Sequence, residues 1–422
     1  MSYDSLFIFL LLTASLSSPG TLHKVGSMDL AQPHEPLLYL DETVALIDIP
    51  TSIAHAQGTS EQPFRHILLS RQPIEQPFPN NEPKTEKSKQ RVLERNPELS
   101  EAPEYRVLIR NALQKLHEHY QGSFCLPRKC GPETERRKRK YEPNHEDERK
   151  HESHKPRESI LGCARPDRET TSHQTKHGFT EPSGPSTNVF IPPNSYFIVG
   201  NVELNSEANQ HAWKSATPKF DFILLDPPWP NRSAERKLSY SVYGTMTDTD
   251  KMLQNLRVLL EPRITDFTYV ALWVTNNASV RKFATNFLKS LRVNIVEEWV
   301  WVKTTKNRDP VLPLDGVWRQ PYEVLFVAQA SHSYDRGGCW TNEPEVIRRI
   351  IVAVPDLHSR KPCLKLLIER WLDGIKKKQG EYAALEIFAR HLVAGWTSWG
   401  NECLKFQDVT CWVIEDEEEE EE

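Results

Sequence analysis

Cysteine is scarce, with seven in 422 residues, spread from Cys125 to Cys411 without dense clustering. That excludes the framework of a small secreted disulfide scaffold and favours a reducing compartment. Long apolar runs are scarcer still. The run Leu6 to Leu12 has signal-peptide length but follows Asp4 instead of a positive segment, so residues 1–28 form a leader of uncertain role, secretion is not expected, and Met28 offers an alternative start. No other stretch approaches a membrane span, so no membrane partner is expected. A glycine-rich phosphate loop of the dinucleotide kind is also missing. With 31 prolines and a mean hydropathy of -0.59, the chain reads as one middling domain with poorly ordered flanks. The net charge of -5 averages a basic middle against the acidic end "EDEEEEEE".

Several regions are visible. Residues 29–126 carry the short apolar runs "PLLYL" and "VALIDI", then the linker-like "PFPNNEPKTEKSK", and are expected to form a small N-terminal accessory region. In "EYRVLIRNALQKLHEHYQ", Val107, Ile109, Ala112, Leu113, Leu116 and Tyr120 recur at near-helical spacing and predict an amphipathic helix. Residues 127–187 are charged and poor in aliphatics, which predicts a disordered linker. Within it "RRKRK", Arg136 to Lys140, suits nuclear import or phosphate contact, or is simply a solvated charge run. Cys125, Cys130, Cys163, His173 and His177 are too loosely spaced for a zinc site, and no metal is expected. Residues 411–422 are read as an acidic tail.

Residues 188–410 have a different texture. Strand-like "SYFIVG", "FDFILLD", "TYVALWVT", "VNIVEEWVWVKT", "YEVLFVA" and "YAALEIFA" alternate with helical "TDKMLQNLRVLL", "SVRKFATNFLKSL" and "CLKLLIERWL". Near-continuous apolar strands between amphipathic helices predict an α/β domain with a mostly parallel sheet covered on both faces. Ligands of such sheets bind at the carboxyl ends of the strands, where Asp226 falls.

Asp226 opens the turn Asp226-Pro227-Pro228-Trp229, which ends an apolar strand in a carboxylate and gives up two backbone donors in succession. An exocyclic amine on a nucleobase is a poor nucleophile because its lone pair is delocalised into the ring. Two acceptors that take both amine hydrogens favour a tetrahedral nitrogen and aim its lone pair at an electrophile. The Asp226 carboxylate and the Pro227 carbonyl can be those acceptors, the prolines stiffen the turn, and Trp229 can stack on a flipped base. A rigid turn with an Asx-type bond is the plain structural alternative.

Together, "IPPNSYFIVGNV", "FDFILLDPPWPNRS", "LWVTN", "EWVWVKTT", "PYEVLFVA", "HSRKP", "LEIFAR" and "GWTSWGNECLKFQ" resemble, in order, the MT-A70 family of S-adenosylmethionine-dependent adenine N6-methyltransferases, in particular its methyltransferase-like protein 4 branch. The resemblance implies a Rossmann-like methyltransferase domain and S-adenosylmethionine as cofactor. It makes Asp226, Pro227, Pro228 and Trp229 the catalytic turn, with Asp226 also beside the cofactor. Asn201 and Val202 match the strand end that meets the cofactor's adenine, although the family often has Asp where this chain has Asn201. Lys361 matches a lysine near substrate and cofactor carboxylate, Glu386 and Arg390 the ribose-holding pair, and Asn401 with Glu402 a polar turn completing the pocket. On the substrate side Arg232, Tyr240, Tyr243 and Lys303 are expected, with Arg236 and Lys237 also suited to phosphates; a solvated surface loop with ordinary tyrosine packing is the equal alternative for residues 231–247.

The expected activity is methyl transfer to adenine N6 in RNA or DNA, with 2'-O-methyladenosine of a small nuclear RNA or DNA as the branch's targets and the nucleus, or else the cytosol, as the compartment. Two alternatives stay open: a catalytically silent scaffold that binds nucleic acid or a partner, and an N4-cytosine or small-molecule amine methyltransferase. Retention of Asp226, Trp229, Lys361 and Asn401 favours activity.

Overall fold

The computed structural model describes residues 35–79, 82–83, 85–95, 103–131, 160–163, 188–202, 213, 219–229, 246–316, 319–330 and 345–414. In chain order the elements are β1 (Leu37–Leu40), β2 (Val44–Ile47), α1 (Ile49–His55), β3 (His66–Leu68), α2 (Glu86–Arg95), α3 (Pro103–His119), β4 (Ile160–Cys163), β5 (Tyr196–Val199) and β6 (Phe222–Leu225). They continue as α4 (Met246–Leu260), β7 (Tyr269–Val274), α5 (Ala278–Ser290), β8 (Val293–Lys303), β9 (Tyr322–Ala330), β10 (Ile347–Ala353), α6 (Lys365–Trp371), α7 (Asp373–Lys376), β11 (Ala384–Ile387), β12 (Trp396–Gly400) and β13 (Trp412–Ile414).

Eleven strands form one sheet in the order β1-β2-β10-β8-β9-β7-β6-β11-β12-β5-β4. Six of its pairings are parallel and four antiparallel. The chain runs from β6 to β7 on one side and returns later as β11 on the other, all three parallel, so the crevice expected where the strand order reverses lies at the carboxyl ends of β6 and β11.

Alternation along each strand explains how both faces are covered. Ile223 and Leu225 of β6, with Val270 and Leu272 of β7, pack with Ile109 and Leu116 of α3, Leu256 of α4 and Phe287 of α5. Phe222 and Leu224, with Ala271 and Trp273, pack instead with Ile53 of α1, Leu367 of α6 and Ile375 of α7. Local signals start the helices: Asn277 caps α5 by accepting from the Ser279 and Val280 amides, and Asp48 caps α1 ahead of Pro50.

The predicted amphipathic helix is α3, with one correction: Val107 is 53% exposed, while Tyr105 takes a buried place. The expected accessory region is corrected too. β2 pairs in parallel with β10, so the N-terminal strands extend the large sheet and belong to one compact unit with residues 35–422. Four residues of the stretch expected to be disordered form β4 and pair with β5, and Arg128 packs inward. The start of the expected tail forms β13 against β3. The leader, the "RRKRK" run, His173, His177 and residues 415–422 lie outside the described residues. Among the described residues no helix is long and apolar enough to cross a membrane.

Candidate active site

Asp226 follows the last residue of β6, and its amide donates to the carbonyl of Ile387 at the end of β11, 3.3 Å away. The turn beyond it is tight: the Trp229 amide donates back to the Pro227 carbonyl at 2.9 Å. One lone pair of that carbonyl is therefore used within the turn, and the second remains for a ligand. Trp229 differs from expectation. It is 6% exposed, and its indole N–H donates to the Trp273 carbonyl at 2.7 Å. In this structure its ring anchors the turn in the core and offers no open stacking face.

Both carboxylate oxygens of Asp226 meet cations. Lys361 Nζ is 3.1 Å from Oδ1, and Arg390 Nη1 is 3.3 Å from Oδ2. Lys361 also donates to Glu323 Oε2 at 3.0 Å, and Glu323 in turn pairs with Lys303. The four groups form a chain of alternating charge: Asp226, Lys361, Glu323, Lys303. Burial draws the Lys361 ammonium toward a lower pKa, but Asp226 and Glu323 together outweigh it and hold the pKa above its ordinary value. Burial likewise works against the Glu323 carboxylate, and the two lysines nevertheless bring it down to about 2. Lys303 and Lys361 lie over the rings of Trp301 and Trp273, at 4.7 and 5.0 Å.

Arg390 spans the pocket. Its Nη1 also donates to the Ser359 carbonyl at 3.1 Å, and its Nε to Glu402 Oε2 at 3.2 Å. The turn that carries it passes through Phe388, whose φ of 65° is disfavoured for a residue with a Cβ. Gly400 makes room for that turn, since a Cβ there would stand 3.1 Å from the Ala389 amide nitrogen and 3.2 Å from the Phe388 Cα. At the same end of the sheet, Asn401 Nδ2 donates to Asn201 Oδ1 at 2.7 Å, and Val202 is packed against the core.

Glu386 is the odd member. It lies in β11 on the α6 side of the sheet, 8% exposed, and no hydrogen bond or ion pair holds its carboxyl among the described residues. Burial, followed by the charge of Asp226, raises its pKa to about 8 against the pull of Arg390 and Lys361. A cavity of about 30 Å³ lies among Asp226, Lys361, Glu386, Phe388, Arg390 and His391. Burial and the charge of Arg360 lower His391 to about 4.

Asp226, Lys361, Glu386 and Arg390 thus converge on one pocket; Glu402 joins through Arg390, while Asn201 and Asn401 bond to each other at the same end of the sheet and do not line it. Lys303 joins through Glu323. Arg232, Arg236, Lys237, Tyr240 and Tyr243 lie outside the described residues. Glu323 and Ser359 received no role from the sequence. A carboxylate flanked by apolar residues in "PYEVLFVA" is the signal that could have found Glu323, because a buried charge requires a partner.

A carboxylate turn at the crevice of a doubly covered, mostly parallel sheet defines a Rossmann-like α/β protein with a small-ligand pocket. Residues 220–402 match the MT-A70 family. The chain is 32% identical over 408 residues to the N6-methyladenosine RNA methyltransferase MTA1 of Cryphonectria parasitica, covering 93% of this chain and 99% of that protein. A second MTA1, from Pyricularia oryzae, is 31% identical over 89% of this chain and 95% of its own length. The human N(6)-adenine-specific methyltransferase METTL4 is 33% identical over 53% of this chain and 44% of its own length. The chain belongs to the MT-A70 family.

Proposed function

We propose that the protein is an S-adenosylmethionine-dependent methyltransferase acting on the N6 amine of adenine in nucleic acid, with RNA as its substrate and the nucleus as its compartment. The observation that carries this reading is Asp226 at the crevice, flanked by two cations and near a buried carboxyl that has no partner among the described residues. The donor set fits the cofactor. Lys361 and Arg390 suit a carboxylate, Asp226 an ammonium, and Glu386 the hydroxyls of a ribose. Asn201 and Asn401 present an amide pair suited to an adenine edge. When bound, the cofactor supplies a methyl group carried on a sulfonium.

The chain's own contribution is to prepare the amine. Asp226 accepts one amine hydrogen and the free lone pair of the Pro227 carbonyl the other, which favours a tetrahedral nitrogen with its lone pair directed outward. The anchor from Trp229 to Trp273 holds the turn rigid while this happens. Lys361, tied to Glu323, keeps a positive charge beside Asp226 and helps to fix the position of its carboxylate.

RNA is favoured because the relatives matched over nearly the whole chain are named as RNA methyltransferases. A DNA N6-methyl methyltransferase from Caenorhabditis elegans matches 54% of it. The test is mass spectrometry of nucleosides from matched RNA and DNA oligonucleotides after incubation with protein and labelled S-adenosylmethionine, with one RNA carrying 2'-O-methyladenosine in a small nuclear RNA sequence. N6-methylated adenosine from RNA supports the reading. Label found only in DNA or on cytosine refutes the substrate assignment, and no label on any substrate refutes the activity.

A further inference from the structure

Lys361 sits in the loop between β10 and α6, a stretch with little backbone hydrogen bonding of its own. One bond within it joins the Arg360 amide to the Leu357 carbonyl at 3.1 Å. Ser359 has a φ of 68°, disfavoured for a residue with a Cβ. Such a conformation persists only where its surroundings impose it. Several of the groups that hold the loop come from the N-terminal part of the chain.

We propose that Arg128, acting through the Asp356–Arg360 pair, is a positioning residue that sets the Lys361 loop for cofactor binding. The proposal rests on the reading of the pocket as an S-adenosylmethionine site. Arg128 donates to the Pro355 carbonyl from Nη1 at 2.9 Å and to the Val354 carbonyl from Nη2 at 2.8 Å, which fixes the loop where it leaves the sheet. Asp356 Oδ1 accepts the Arg71 amide at 2.7 Å and lies 3.8 Å from Arg128. Its Oδ2 accepts from Arg360 at 2.5 Å. Arg360 also donates to the Leu69 carbonyl at 2.9 Å, and its guanidinium lies 4.2 Å from the centre of the Phe406 ring.

The loop is therefore clamped on both sides of Ser359 by residues more than two hundred positions earlier in the chain. What lies inside and just beyond the clamp belongs to the pocket. The Ser359 carbonyl receives Arg390, and Lys361, next after Arg360, reaches Asp226 and Glu323. The side chains of Arg128, Asp356 and Arg360 are at most 1% exposed, so bulk solvent does not compete for them, and Arg360 also forms part of the cavity wall. The arginine fork reads two carbonyls in fixed geometry, which one ammonium cannot reproduce.

The test is calorimetric titration of S-adenosylmethionine into the full chain without nucleic acid. It compares the wild type with Arg128→Met, Arg128→Lys, Lys361→Ala and the Arg128→Met/Lys361→Ala double variant, with folding checked by circular dichroism. Arg128→Met is expected to raise Kd about tenfold, and Arg128→Lys to recover part of the loss. In the Lys361→Ala background the Arg128 substitution should change Kd by less than about twofold, because its effect runs through Lys361. Unchanged Kd in folded Arg128→Met, or the full effect persisting without Lys361, overturns the proposal. If Arg128→Met does not fold, Arg128→Lys and its double variant with Lys361→Ala decide by the same comparison, and a wild-type Kd in Arg128→Lys overturns the proposal. A wild type that binds no S-adenosylmethionine overturns the reading of the pocket itself, which separates the two failures.

Discussion

Two aspartates in this protein each face two cations, and they are used in opposite ways. Asp226 meets Lys361 and Arg390, with all three side chains 17–23% exposed. Asp356 meets Arg360 and Arg128, with all three nearly sealed from solvent. The chemistry is similar but the access differs. Around Asp226, partners can be exchanged for those of a ligand at little cost, because water remains nearby. Around Asp356, exchange would strand a charge in a dry interior, so the cluster acts as fixed framework.

The comparison can be broken most severely at Asp356. Asp356→Ala leaves two buried guanidinium groups without their carboxylate and should destabilise the fold by about 3–5 kcal/mol, measured by urea unfolding. A loss as small as that of an exposed pair would mean that solvent reaches the cluster. Asp226→Ala should do the reverse: unfolding little changed, turnover down ~100-fold or more, since a transition-state acceptor is removed. Near wild-type turnover in that variant would dismiss Asp226 from the chemistry.

A finer probe is Glu386, the acid beside the exchangeable cluster. Its pKa in the folded protein is about 8, against an ordinary 4.5. Because the folded value is raised, the group's contribution to stability is fully present below the unfolded value and is lost as pH rises toward and through about 8. Glu386→Gln cannot titrate. The melting temperature of the wild type should therefore fall relative to this variant between these two pH values, by a few degrees. Parallel curves would show that Glu386 ionises normally in the fold.

Much of the fold was legible because burial on both faces writes itself into a strand as an unbroken apolar run. "FDFILLD" and "TYVALWVT" became β6 and β7 for that reason. β10 was missed because Arg348 and Arg349 interrupt its run, and their reason lies on the neighbouring strand, where Glu298 and Glu297 pair with them at 3.0 and 2.7 Å. β12 was hidden by Thr397 and Ser398, polar residues that are buried all the same. No local pattern tells which sheet a strand joins, so β1 and β2 read as a separate unit. The site divides along the same line. Asp226 announced itself through contiguous residues, whereas the partnership of Arg128 with residues 354–356 spans more than two hundred positions and leaves no periodicity to read.

The order of strands also has a consequence for synthesis. β11 and β12 are among the last elements of the chain, yet they lie between β6 and β5 in the interior of the sheet. Until residues 384–400 have left the ribosome, β6 and β5 each present an open edge along an apolar strand, the kind of surface that recruits other chains. A nascent chain stalled short of β11 would hold Asp226 at such an edge, without Arg390. Chaperone dependence should therefore be concentrated in the final stage of translation, and the pocket can be assembled only when nearly all of the chain has been made.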